Sequence, residues 1–109
     1  MARAHSISQV ILTIDTEDLL AQRKRRMLYR ATHRGTYETD LIIGSFAQRH
    51  IAGMDEPALD ALEAVMDYPD IDLADWLTGR RPIPDFADSR MLRRIRREAP
   101  DVVLSEPER

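Results

Sequence analysis

The sequence has no cysteine, which excludes a disulfide framework, a thiolate nucleophile and a cysteine metal site. It has only four glycines, at 35, 44, 53 and 79. They make no G-x-G-x-x-G and there is no lysine-bearing phosphate loop, so the chain has no dinucleotide cradle of its own. No run approaches the roughly 18 apolar residues of a membrane span. Val10-Ile11-Leu12 is far too short for the apolar region of a signal peptide, and a cytoplasmic protein is the resulting expectation. His5, His33 and His50 include no pair at i, i+3 or i+4, so a metal site is not expected. The carboxylates between 67 and 75 lack the glycine and distal glutamate of a calcium loop. Positive charge is missing from the middle of the chain: no Lys or Arg falls between Arg49 and Arg80.

What fills that middle is acid: Asp55, Glu56, Asp60, Glu63, Asp67, Asp70, Asp72 and Asp75. The flanks are basic. Arg23, Lys24, Arg25, Arg26, Arg30 and Arg34 precede it, and Arg90, Arg93, Arg94, Arg96 and Arg97 follow it. The net charge of −3 hides this dipolar arrangement. At 109 residues and 43% hydrophobic the chain suits one domain with a modest core.

The apolar spacing predicts helices joined by short links. Residues 1–16 show no sustained helical period and read as a mobile arm. A first helix is expected from about Glu17 to Arg34, with Leu20, Met27, Leu28 and Ala31 on one face. Lys24 falls near that face, so the helix is expected either to bury only its C-terminal half or to break near residue 22. A second helix runs from about Tyr37 to Arg49, with Leu41, Ile42, Ser45 and Phe46 inward. Gly44 costs it about 1 kcal/mol relative to Ala, and either permits close approach of a neighbouring helix or is a tolerated surface glycine. Asp55 caps a third helix that has Pro57 in its first turn and Leu59, Leu62, Val65 and Met66 on its face. Pro69 stops it. Asp70 or Asp72 caps a fourth, with Leu73, Trp76 and Leu77 inward and Gly79 at its end. A fifth spans about Ala87 to Glu98, facing inward through Met91, Leu92 and Ile95. Residues 99–109, rich in Glu and Pro, read as a disordered tail. The sum is an all-α, compact five-helix bundle over residues 17–98, with a flexible N-terminal arm and C-terminal tail.

The corner between the first two helices concentrates unusual residues. Gly35 follows a helical run, where only glycine takes φ > 0 without a Cβ penalty. Arg34 falls in the last turn of one helix and Glu38 in the first turn of the next, each at the dipole end that suits its charge. Asp40 follows. A capped corner with a surface Arg34–Glu38 pair, worth about 0–1 kcal/mol, accounts for these residues. So does a presented docking edge, and spacing does not choose between the two. Tyr37 is either core or an interface anchor. Trp76 belongs to a helical face and reads as core. His33 reads as a helix-terminal residue favoured by the dipole.

Arg34-Gly35-Thr36-Tyr37-Glu38-Thr39-Asp40 resembles the RGxxE signature, with its trailing Asp, of the succinate dehydrogenase assembly factors, also called flavinators or the SdhE family. Asp70-Ile71-Asp72-Leu73-Ala74-Asp75-Trp76-Leu77, followed by Gly79 and Pro82, resembles the family's D-x-D-L-x-x-W-L segment. The resemblance covers roughly residues 23 to 97 and implies a five-helix fold. It also implies a role: an assembly chaperone, not an enzyme, that binds the flavoprotein subunit of succinate dehydrogenase, or of the related fumarate reductase, and promotes covalent attachment of FAD to that partner. The chain is then a monomer when free and half of a heterodimer when engaged. It has no catalytic, metal or cofactor-binding residues of its own, and FAD belongs to the partner. The partner-binding residues carried over are Arg34, Gly35, Tyr37, Glu38 and Asp40. The alternative is a small nucleic-acid-binding or antitoxin-type regulator whose basic helices follow a phosphate backbone. The net acidity and the lack of a helix-turn-helix pattern weigh against it. A second rival is a small enzyme or direct flavin carrier.

Overall fold

The computed structural model describes residues 2–100, with side chains from Glu17 onward. Five α-helices occur in it: α1 (Ala2–Thr32), α2 (Tyr37–His50), α3 (Glu56–Met66), α4 (Asp70–Thr78) and α5 (Arg90–Arg97). Single 3-10 turns at Ile51–Gly53 and Asp85–Ala87 connect them. No strand occurs among the described residues, so the all-α reading holds.

α1 begins at Ala2, well before the start expected near Glu17. Helical hydrogen bonds close within the segment itself and require no apolar stripe. The missing period over residues 2–16 therefore bears on packing, and helical backbone continues through the segment set apart as an arm. Nor does α1 break near residue 22. Lys24 resolves its own conflict by donating from Nζ to the Ala52 carbonyl at 2.8 Å, so its stem covers apolar surface while the ammonium is satisfied. From Asp101 onward the expected tail lies outside the described residues.

The remaining boundaries follow local chemistry. Thr36 caps α2 by accepting from the Thr39 amide, and Asp55 caps α3 by accepting from Ala58. Each satisfies one of the amides that a helix start leaves unpaired. The cap of α4 is Pro69, so Asp70 and Asp72 are first-turn residues and not the cap. The proline's fixed φ of −62° already suits that position. α5 starts at Arg90, later than expected, because Ser89 supplies a hydroxyl cap to Leu92. Gly79 closes α4 in the left-handed region at φ +84°.

One core joins these elements. Phe46, Ile42 and Ile43 of α2 meet Leu59 and Leu62 of α3, Leu73, Trp76 and Leu77 of α4, and Leu92 and Ile95 of α5. Met27 and Ala31 bring in the C-terminal half of α1. Gly44 is where α1 and α2 come closest: a Cβ there would lie 3.0 Å from Thr32 Cγ2 and 3.3 Å from the Ala31 carbonyl oxygen. Of its two sequence readings, close approach is the correct one. Of the expected stripe Ile42 and Phe46 are buried while Leu41 and Ser45 are only partly so, and Ile43 and Ala47 are buried instead, because α2 is flanked by α1, α4 and α5 together.

Candidate functional site

The α1–α2 corner is built from both sides. Thr32 ends α1, and His33 stacks on Tyr29 with ring centroids 3.9 Å apart. Its Nδ1 lies 2.9 Å from the Tyr29 carbonyl, one of the acceptors that a helix end leaves free. Arg34 turns inward. Its side chain is only 10% exposed, and its Nε donates to Asp70 at 2.5 Å. Its Nη2 donates to the Tyr68 carbonyl at 3.0 Å. Asp40 reaches back from α2 and accepts the Arg34 backbone N–H at 2.5 Å. Arg34 and Asp40 thus fix the corner to the start of α4.

The tip of the corner faces solvent. Gly35 sits at φ +104°, with nothing within 4 Å of the position a Cβ would occupy. A side chain there meets strained backbone but open space. Thr36 is exposed, and Tyr37 is 68% exposed. The core alternative for Tyr37 is therefore removed. Trp76, at 2% exposure, is core.

Glu38 is half-buried and does not pair with Arg34. It accepts a two-pronged pair of bonds from Arg80, at 2.8 and 3.0 Å. Arg80 Nε continues to Asp75 at 3.0 Å, Asp75 takes Arg81 at 2.8 Å, and Arg81 reaches Asp72 at 2.7 Å. The Arg80 guanidinium holds the Glu38 carboxyl below its usual range, although burial opposes this. Asp75 is held low by Arg81 first and Arg80 second. The carboxylate at the corner is therefore ionised and fixed in place.

So the two sequence blocks, separated by all of α3, meet in space through Arg34–Asp70 and Glu38–Arg80. The expected site residues come together at one corner but divide by direction. Arg34 and Asp40 are anchors, Glu38 is clamped at the rim, and Gly35 and Tyr37 are presented. Neither Arg80 nor Asp70 was singled out as part of the corner. Their partners lie 42 and 36 residues away in sequence, and no local pattern encodes such a pairing.

The segregated charge has the same explanation. Arg23 of α1 binds Asp60 and Glu63 at 2.8 and 2.9 Å, and Arg30 binds Glu63 and Asp67. The basic helix lies against the acidic one. With Arg34 and Lys24 also engaged, most of the run from 23 to 34 is committed internally. This leaves Arg25 and Arg26 as its members without an acidic partner among the described residues, and reduces the charge a phosphate-tracking surface would need. Among the described residues no three His, Asp or Glu side chains converge as metal ligands, and no helix is long and apolar enough to cross a membrane.

Residues 25–99 match the family model for the flavinator of succinate dehydrogenase. The chain belongs to that family. It is similar to the FAD assembly factor SdhE of Acetobacter pasteurianus, 46% identical over 79 residues that cover 72% of each chain. It is also similar to mitochondrial succinate dehydrogenase assembly factor 2 of Mycosarcoma maydis, 39% identical over 59 residues, or 54% of this chain and 25% of that protein. The same-named protein of Meyerozyma guilliermondii is 32% identical over 81 residues, 71% of this chain and 60% of its own. The chain thus spans less than two thirds of these two mitochondrial relatives. The family match contains the whole corner and α4, and begins partway along α1. The resemblance drawn from the two blocks is therefore correct.

Proposed function

We propose that this flavinator-family chain binds the flavoprotein subunit of succinate dehydrogenase through the α1–α2 corner and promotes covalent attachment of FAD to that subunit. It acts as an assembly chaperone, and the FAD and the reacting groups belong to the partner. The observation that carries the reading is the shape of the corner: a rigid base tied by Arg34, Asp40 and Arg80, with an open tip at Gly35 and an exposed aromatic at Tyr37.

Tyrosine is favoured at binding hot spots because it adds large contact area at small entropic cost. At Gly35 a partner backbone can approach without meeting a Cβ. A pre-formed tip loses little freedom on docking. Held there, the flavoprotein's histidine and flavin stay in attachment geometry, and such orientation can lower a barrier by several kcal/mol. Glu38 stays ionised beside the tip, where its two-pronged pair with Arg80 orders the rim.

The test is covalent flavin on the partner. The flavoprotein subunit is expressed alone, with this chain, and with its variants, then denatured and read by flavin fluorescence on the protein band. Wild type brightens the band and Tyr37→Ala does not. Gly35→Ala and Gly35→Arg share the same backbone strain, so the further loss in Gly35→Arg measures bulk at the tip. A band of equal brightness without this chain rejects the proposal.

A further inference from the structure

A cleft of about 660 Å³ lies at the α4–α5 junction. Arg81, Arg93, Arg96 and Arg97 line it and no carboxylate does. Arg81 is held from outside by Asp72 and Asp75, and Arg93 by Asp88. Arg96 and Arg97 have no carboxylate partner among the described residues. The Arg96 guanidinium lies over Gly79, 3.3 Å from where a Cβ would stand. There the C-terminal end of α4 attracts a cation with only about half a charge, so Arg96 is steadied without being neutralised. Pro82 and Ile83 give the cleft an apolar wall.

The cleft beside α1 is the internal comparison. It also holds four arginines, Arg23, Arg25, Arg26 and Arg30, but Glu63 stands on its wall and binds two of them. That cleft carries its own anion. The α4–α5 cleft does not.

We propose that the α4–α5 cleft is a binding site for a phosphate-bearing anion of nucleotide size. Guanidinium forks match phosphate oxygens. A concave site with an apolar wall and a few convergent charges suits a small ligand. The site touches the corner only through Arg81, which shares Asp75 with Arg80, and it does not depend on the docking proposed for the corner.

The full chain is titrated calorimetrically at low ionic strength with inorganic pyrophosphate, with ADP and with adenosine. Pyrophosphate and ADP bind saturably to one site, and adenosine does not. Tighter ADP binding identifies a nucleotide as the source of the phosphate, and equal binding a free phosphate. Arg96→Gln combined with Arg97→Gln weakens both by roughly tenfold or more, while Arg25→Gln with Arg26→Gln changes little. Both arginine pairs are solvent-facing, and circular dichroism confirms folding. Pro82→Glu, which sets a carboxylate on the exposed wall, gives the same loss by an independent route. The proposal is overturned by the absence of saturable binding, or by equal weakening in the two double variants, since the latter reports net charge alone.

Discussion

On the inner side of the α1–α2 corner, Arg34 and Asp40 are tied to α4 and to the backbone of the turn. On its outer side, Gly35 and Tyr37 touch little of the chain's own surface. Four positions of one short motif therefore carry two kinds of constraint, with Glu38, clamped by Arg80, at the rim between them. The inner pair is required by the fold, because a nearly buried guanidinium needs its carboxylate and carbonyl partners. Nothing in the packing of the body requires an exposed aromatic at position 37. This difference makes the corner a rigid mount for an exposed tip.

Removing the inner anchor is the largest disturbance. Arg34→Ala strands the half-buried Asp70 and frees the Tyr68 carbonyl, and is expected to cost about 3 kcal/mol, seen as a lowered urea midpoint at unchanged slope. Tyr37→Ala is the converse. It shifts stability by no more than about 0.5 kcal/mol but weakens flavoprotein binding by about 2 kcal/mol, near thirtyfold by titration. Equal effects of the two substitutions on stability would erase the inner–outer contrast. Gly35→Ala lies between them. The space at its Cβ is open, so its cost is the left-handed backbone alone, about 1–2 kcal/mol. A loss well above that in thermal unfolding would mean that Gly35 is packed.

The smallest effect contrasts the corner with the far end of α2. There Glu98 accepts from His50 at 2.7 Å and from Arg49 at 3.2 Å. His50 first, then Arg49 and Arg94, pulls its pKa from 4.5 to about 2. A carboxyl whose folded pKa is depressed stabilises above its unfolded value, and that contribution fades as pH falls through the folded value. Stability from this clamp is thus full above about 4.5 and lost toward about 2. Glu98→Gln should flatten acid unfolding in that window. Glu38, held low by Arg80, behaves with the same sign below 4.5, and Glu38→Gln should give the shallower change.

Most of the body was legible in the sequence because its signals are local. Apolar spacing marked the faces of α2 to α5, Asp55 and Pro57 marked the start of α3, and Gly35 and Gly79 marked the two left-handed turns. The two motif blocks marked the family. Pairings across the fold were not legible. One of the two readings of the corner paired Arg34 with Glu38, four residues away, yet each has its partner on or just after α4. Both pairings satisfy charge, and only the packing of α2 against α4 decides between them. The same holds for the basic and acidic segments: their segregation was visible, but not that α1 would lie along α3. Ser89 and Thr36 were missed as caps because a lone hydroxyl before a weakly periodic run is a common feature of loops.

The absence of cysteine makes the central claim open to direct measurement. A single cysteine at position 37, labelled with a photo-crosslinker, reports what touches the tip, and the same label on Leu19, 59% exposed and about 20 Å back along α1 from Thr32, serves as control. With the flavoprotein subunit of succinate dehydrogenase present, Tyr37→Cys is expected to crosslink to it efficiently and Leu19→Cys is not. Crosslinking at position 19 with none at position 37 would contradict docking through the tip and place the docking face elsewhere.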